Sequence, residues 1–132
     1  MYQFLDRSVS DLARSEALLV WAMRQWVGAM RGGRCPCAAV GPALAAHRLS
    51  EILPDFNIAM MLLDRDGVAS LQFRTVGCLS LGDDEALLLA LHAAAAKGQE
   101  TVVQNIVEAL VKPEAQRTLR FAATRVALAL AA

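Results

Sequence analysis

The sequence predicts an all-α protein in which five or six helices pack around one central apolar helix at residues 82–97. Hydrophobic residues make up 56% of the chain, and the excess over an ordinary protein is mostly Ala and Leu, which favour helix. β-Branched and aromatic residues, which favour strands, are few. The length of 132 residues is enough to bury a core, so we predict a single helical domain over residues 1–132.

The first predicted helix begins at Ser8 and runs to about Arg31, where a glycine pair follows. Asp11 stands three residues after Ser8, as in a capping box. The helix has one broad apolar face, but Leu18 and Trp21 fall on its polar side and are neighbours there because they are three residues apart. Either a later segment covers these two side chains, or they form a contact with a partner protein.

Prolines mark the next two predicted helices. The second is expected to start near Pro42, which suits a first helical turn, and to carry apolar residues as far as Leu53, Ile52 among them. Pro54 interrupts it and opens a third helix that ends near Asp64. Residues 68–79 alternate between apolar and polar side chains, which predicts an extended linker crossing the core. The alternative is a hairpin in which this segment pairs with residues 58–63.

The central helix has well-marked ends. Asp83, Asp84 and Glu85 open it, and we attribute all three to favourable electrostatics at a helix N-terminus. Gly98 follows it and can take the left-handed conformation that ends helices. The apolar run between these ends has no polar stripe, which is typical of a buried helix. It is shorter than the roughly 20 residues that a bilayer requires, so no membrane span is expected.

Two further helices are predicted after Gly98. Residues 99–111 carry apolar side chains at helical spacing, and the short connection indicates an antiparallel helical hairpin. Pro113 suits the first position of the last helix. The apolar end of that helix, VALALAA, is expected to dock in the core or in a dimer interface.

The cysteines are the most informative chemistry. Cys35 and Cys37 flank a proline, and Cys78 precedes the central helix, where a helix N-terminus can lower the pKa of a thiol. With His92 they could supply the four ligands of a zinc site or hold an iron–sulfur cluster. However, the C-P-C spacing is not the common one, so free and partly buried thiols in a reducing cytoplasm are the preferred interpretation.

Other candidates for chemistry are weaker. His92 on an apolar helix is typical of a core histidine with a hydrogen-bond partner, and His47 of a surface residue. Glu16 falls on the apolar face of the first helix, where pairing with an arginine or contact with solvent is favoured over catalysis. The chain has 13 basic and 13 acidic residues without a basic block, so nucleic-acid binding is not predicted. The first ten residues, MYQFLDRSVS, lack the pattern of a signal peptide.

We therefore predict a cytoplasmic, non-enzymatic protein-interaction or regulatory module that acts as a homodimer, with another protein as a further partner. The apolar excess and zero net charge favour self-association. Leu18 and Trp21 are the predicted interface, with the last helix contributing. The alternative is a metal-binding or redox-sensing protein that uses Cys35, Cys37, Cys78 and one histidine. No cofactor is expected outside that alternative, and no nucleic-acid or membrane partner.

Overall fold

The computed structural model describes residues 7–132, and the regular structure within this range is entirely helical. This confirms the predicted all-α class. Two 3-10 helices occur at Val9–Asp11 and Ser50–Ile52. The six α-helices are α1 (Arg14–Arg31), α2 (Pro36–Ala46), α3 (Leu53–Arg65), α4 (Asp83–Ala96), α5 (Glu100–Leu110) and α6 (Pro113–Ala131). None of the helices in this part of the chain combines the length and the hydropathy that a bilayer span requires.

Contacts between residues divide the chain into two units. The first unit comprises the described residues up to Ser50 together with Gln72–Ala90, and in it α1 packs against α2. The second unit comprises Glu51–Leu71 together with Leu91–Ala132, and in it α6 packs against α3 and α5. Among the buried apolar residues are Met23, Trp26, Leu44 and Leu89 in the first unit and Phe56, Ile106, Leu119 and Val126 in the second. The single domain predicted from the length stays a prediction.

The start of α1 differs from the prediction. Ser8 caps only the short 3-10 helix Val9–Asp11, and Ala13 is extended, with ψ of 158°, so that α1 begins at Arg14. The carboxylate of Glu16 accepts a hydrogen bond from the N–H of Ala13 at 2.8 Å. This is one half of a capping box, because alanine has no side-chain acceptor for the other half. The side chain that caps α1 is therefore Glu16, and the predicted continuous helix from Ser8 was wrong.

The bounds of α2 also correct the prediction. The helix starts at Pro36 rather than Pro42. Either proline suits the first turn of a helix, and the chain uses the earlier one. Pro42 lies inside the helix, where it removes one main-chain hydrogen bond without ending the helix. α2 ends at Ala46, two residues before Arg48 adopts a positive φ of 59°. Ile52 consequently belongs to a separate 3-10 helix instead of the same helix.

The segment at residues 68–79 contains neither helix nor strand, and an isolated bridge flanks it on each side. Gly67 bridges Val111, and Ser80 bridges Ser8. The predicted extended linker is confirmed, but most of its residues are exposed, so it does not cross the core. The alternative hairpin was wrong because its proposed partner strand lies within α3.

The last three helices match their predictions closely. α4 begins one residue after and ends one residue before the predicted limits, at Asp83 and Ala96. It is strongly buried, since Leu88, Leu89 and Leu91 are each at most 2% exposed. Gly98 has a positive φ of 72°, as expected for the residue that ends this helix. Residues up to 90 of α4 belong to the first unit and the remainder to the second.

Candidate functional site

A buried ion pair joins α1 to the first turn of α4 in the first unit. Arg24 Nε lies 2.7 Å from Glu85 Oε2, and Arg24 Nη2 lies 2.9 Å from Glu85 Oε1. The two side chains are only 3% and 0% exposed. This bidentate geometry is the strongest hydrogen-bonded arrangement that an arginine and a carboxylate can form. It fixes the orientation of both side chains.

The same arginine also holds the main chain of the segment before α4. Its Nη1 donates to the carbonyl oxygen of Cys78 at 2.8 Å, and its Nη2 donates to the carbonyl oxygen of Ser80 at 3.0 Å. Arg24 therefore donates four hydrogen bonds, two to Glu85 and two to main-chain carbonyl oxygens. The last two attach the irregular segment around Cys78 to α1.

The carboxylate of Glu85 binds the same segment from the other side. It accepts hydrogen bonds from the N–H of Gly82 at 2.9 Å and from the N–H of Arg74 at 3.1 Å. Asp84 acts similarly, since its carboxylate accepts a hydrogen bond from the N–H of Gln72 at 2.6 Å. Helix N-terminal electrostatics was thus an incomplete explanation of the acidic residues, because two of them also anchor the linker.

The environment favours the charged form of both members of the ion pair. Burial by itself raises the pKa of Glu85, but hydrogen bonds from Arg24 and from the Gly82 N–H, with the arginine charge, outweigh it and lower that pKa overall. The hydrogen bond to Glu85 likewise raises the pKa of Arg24 despite the opposing effect of burial. A buried ion of this kind is tolerated because its partner and the main-chain groups replace the lost hydration.

An apolar cleft of about 250 Å³ lies beside this network in the first unit. Leu79 is 71% exposed and Val76 is 46% exposed at its rim, whereas Trp21 is half-buried. The residues that line the cleft are Val9, Ala17, Val20, Trp21, Arg24, Val76, Gly77, Cys78 and Leu79. The cleft is thus formed by α1 on one side and by the segment that Arg24 anchors on the other.

Of the two predicted interface residues, Leu18 and Trp21, one lines this cleft and the other does not. Trp21 lines it together with residues 76–79 of the linker. Leu18 is also half-buried, but it is not among the lining residues. Trp21 and the linker therefore border the same open apolar cleft. Their role in an interface stays a prediction.

Cys78 lines the cleft, and its thiol has polar neighbours. Its Sγ lies 3.4 Å from the hydroxyl oxygen of Ser80 and 3.7 Å from the carbonyl oxygen of the same residue. The hydrogen bond from the Ser80 side chain lowers the pKa of the Cys78 thiol, and the charges of Arg24 and Arg74 act in the same direction. The residue as a whole is half-buried.

The predicted metal ligands are not assembled into a site. All three cysteines are free; Cys35 is the exposed N-terminal cap of α2, and Cys37 lies in its first turn. His92 lies half-buried on α4, in the second unit. Among residues 7–132, no group of three or more His, Cys, Asp or Glu side chains has an arrangement that could hold a metal ion. The metal site stays a prediction.

Two other predicted assignments concern surface groups. His47 is exposed, and its Nδ1 lies 2.9 Å from the carbonyl oxygen of Ala43 on the preceding turn. Glu16 is occupied by the N-terminal capping of α1. Both residues are therefore explained by local helix structure.

Sequence reasoning missed the central residue of the site, Arg24. The helical wheel gave only a weak signal, because Arg24 is four residues after Val20 and so borders the apolar face, but it lies about 160° around the helix from Trp26. An arginine at the edge of such a face can keep its charged end in water, so the pattern did not require a buried partner. Its partner, Glu85, could not be recognised because the carboxylate had a sufficient local explanation at the start of α4.

No protein-family model matches the chain, and comparisons with curated protein sequences and with solved structures give no significant match. Functional inference for this protein therefore depends on its own residues and their geometry.

Proposed function

We propose that the protein is a non-enzymatic helical interaction module that forms a homodimer through the cleft of the first unit. The supporting observation is that Leu79, an exposed apolar side chain, stands at the rim of an apolar cleft that contains Trp21. Large exposed apolar side chains beside such a cleft are typical of a protein-interaction surface. The proposed compartment is a reducing cytoplasm, for which the three free cysteines are the support.

A projecting side chain next to a cleft favours contact between two identical copies. In a two-fold dimer the same patch occurs on both subunits, so Leu79 of each copy can enter the cleft of the other. Among the lining residues of the described chain, Arg24 is the only one that carries a permanent charge, and Glu85 neutralises it. Two copies of this patch can therefore meet without repulsion between like charges.

The segment that carries Leu79 is held in position before association. Arg24 binds the carbonyl oxygens on both sides of Leu79, at Cys78 and Ser80. The N–H of Val9 donates to the carbonyl oxygen of Leu79 itself at 2.7 Å. Three hydrogen bonds thus hold successive peptide groups, which reduces the entropy that must be lost when a partner binds.

Sedimentation equilibrium of the wild type and of Leu79→Asp tests the proposal. We expect a dimer for the wild type at about 50 μM and a monomer for the variant, because a buried carboxylate without a partner is strongly unfavourable. Leu128→Asp is the matched control, since Leu128 is 53% exposed but belongs to the second unit. A monomeric wild type, or equal effects of the two substitutions, would contradict the proposed dimer.

A further inference from the structure

The outer face of α6 is a second apolar surface, separate from the cleft residues. Phe121 is 65% exposed and Leu128 is 53% exposed. They are seven residues apart, so they lie on the same side of the helix. Both line an open groove of about 840 Å³ in the second unit, which α5 also borders through Val103. A large aromatic and a leucine at this spacing are typical of one half of a helix–helix contact.

Arginines lie along the same groove, and they differ in how their charges are satisfied. Arg125 Nε lies 2.8 Å from a carboxylate oxygen of Asp55, so its charge is paired. Arg120 donates only to the amide oxygen of Gln104, at 3.1 Å. No ion pair within residues 7–132 involves Arg117 or Arg120, and both are exposed. The groove therefore offers two guanidinium groups beside Phe121.

We propose that this face of α6 binds an acidic amphipathic helix of another protein. Apolar side chains of that helix pack on Phe121 and Leu128, and its carboxylates bind Arg117 and Arg120. An apolar stripe with flanking charges on each helix is the usual way in which such a pair selects its partner and its orientation. This proposed contact uses none of the residues that line the cleft of the first unit.

The charges of α6 argue against a second copy of this chain as the occupant. The helix carries three arginines, and its only carboxylate is Glu114, in the first turn. An isologous contact would place this face against itself and bring together three arginines from each copy, whereas Glu100 is the one carboxylate among the described lining residues. Like charges brought together in this way disfavour association.

The same residues favour a peptide over a nucleic acid or a small molecule. Among the described residues that line the groove, Phe121 is the only aromatic one, and Glu100 adds a negative charge. Nucleic-acid surfaces instead combine several stacking side chains with an extended basic track. A small ligand would remain largely uncovered, because the Phe121 side chain is itself 65% exposed.

Fluorescence anisotropy with designed helical peptides tests this binding. The probe is a fluorescein-labelled peptide with leucine at the two apolar positions of each heptad and glutamate beside them, and the control peptide has lysine in place of glutamate. We expect a Kd of about 10–100 μM for the glutamate peptide and at least tenfold weaker binding of the lysine peptide. Raising the salt concentration should weaken the first interaction.

Variants of the protein locate the site. Phe121→Ser and the double variant Arg117→Glu/Arg120→Glu should each weaken binding of the glutamate peptide at least tenfold. Arg65→Glu, at an exposed arginine on α3, and Leu79→Ser are the matched controls and should retain binding. Far-ultraviolet circular dichroism of every variant shows whether it is folded. The salt-sensitive peptide binding of Leu79→Ser should persist even if that protein is monomeric.

Several results would overturn the inference. These are absence of saturable binding at about 1 mM glutamate peptide, equal affinity for both peptides, or equal loss in the control variants. Tighter binding of a single-stranded RNA oligonucleotide than of the glutamate peptide would instead identify a nucleic-acid surface. If the groove variants do not fold, chemical-shift changes of the wild type on addition of the glutamate peptide test the site instead. Changes that do not fall on α5 and α6 would overturn the inference.

Discussion

Arg24 and Glu85 are 61 positions apart in the chain, yet their side chains form a buried bidentate ion pair with an Nε to Oε2 distance of 2.7 Å. Through main-chain hydrogen bonds, the two side chains together hold the segment that carries Leu79 and Cys78. The apolar cleft of the first unit consequently depends on one polar contact in its wall.

Removing one member of this pair should be strongly destabilising. We expect Arg24→Met or Glu85→Leu alone to lower the free energy of unfolding by about 3–5 kcal/mol, because each leaves an uncompensated buried charge. The double variant should recover much of this loss, since no charge then stays buried. Urea denaturation of the four proteins measures the coupling. A double variant whose loss equals the sum of the two single losses would contradict this description.

The ion pair of Arg125 and Asp55 provides the control for that experiment. Its side chains are 59% and 18% exposed, and water screens the interaction. We expect Arg125→Met to lower the free energy of unfolding far less than Arg24→Met does. Comparable losses in the two variants would show that burial is not the reason for the effect.

The stability of the protein should fall in acid partly through Glu85. Its pKa is lower in the folded protein than in the unfolded chain, so its contribution is complete above the unfolded value of about 4.3 and disappears as the pH falls through the folded value. Glu85→Gln lacks this titration. Urea denaturation between about pH 7 and pH 3 should therefore give a shallower dependence for the variant. Parallel curves would contradict the assignment.

The thiol of Cys78 should react as a thiolate at a lower pH than an ordinary cysteine does. The hydrogen bond from Ser80 lowers its pKa, and so the thiolate fraction at a given pH is larger. Alkylation by iodoacetamide, followed against pH in a Cys35→Ser/Cys37→Ser background, reports this pKa. Ser80→Ala should move the midpoint to higher pH. An unchanged midpoint would exclude the hydrogen bond as the cause.

Trp21 should contribute more to the proposed dimer than Leu18 does, because only Trp21 lines the cleft. We expect Trp21→Ala to weaken dimerisation at least tenfold in sedimentation equilibrium and Leu18→Ala to have a smaller effect. The opposite ranking would place the interface on another part of α1.

A glycine should be required at position 98 because of the backbone conformation there. Its φ of 72° is unfavourable for a residue with a side chain, so Gly98→Ala should lower the free energy of unfolding by about 1 kcal/mol. Gly28 lies inside α1, and a side chain there meets nothing within 4 Å. Gly28→Ala should therefore raise the free energy of unfolding by roughly 0.5–1 kcal/mol. If both substitutions changed this free energy in the same direction, the explanation would be contradicted.

Local sequence signals predicted the ends of a helix correctly where only one residue could provide each signal. The acidic start of α4, its unbroken apolar run and Gly98 together predicted the helix within one residue at each end. They were ambiguous where two residues could serve the same purpose. Ser8 and Glu16 both offer a capping side chain, and Pro36 and Pro42 both suit a first helical turn. Choosing between such alternatives depends on packing that propensity does not describe.

The sequence by itself determined the helical class, the apolar character of α4 and the pattern of the last three helices, because periodicity and end signals act between near neighbours in the chain. Only the tertiary structure decided that Arg24 pairs with Glu85 and that Trp21 meets the segment around Leu79. These contacts join residues more than 50 positions apart, as in the 54 positions between Arg24 and Cys78. No local pattern encodes such a pairing, because the folding of the intervening chain brings the side chains together.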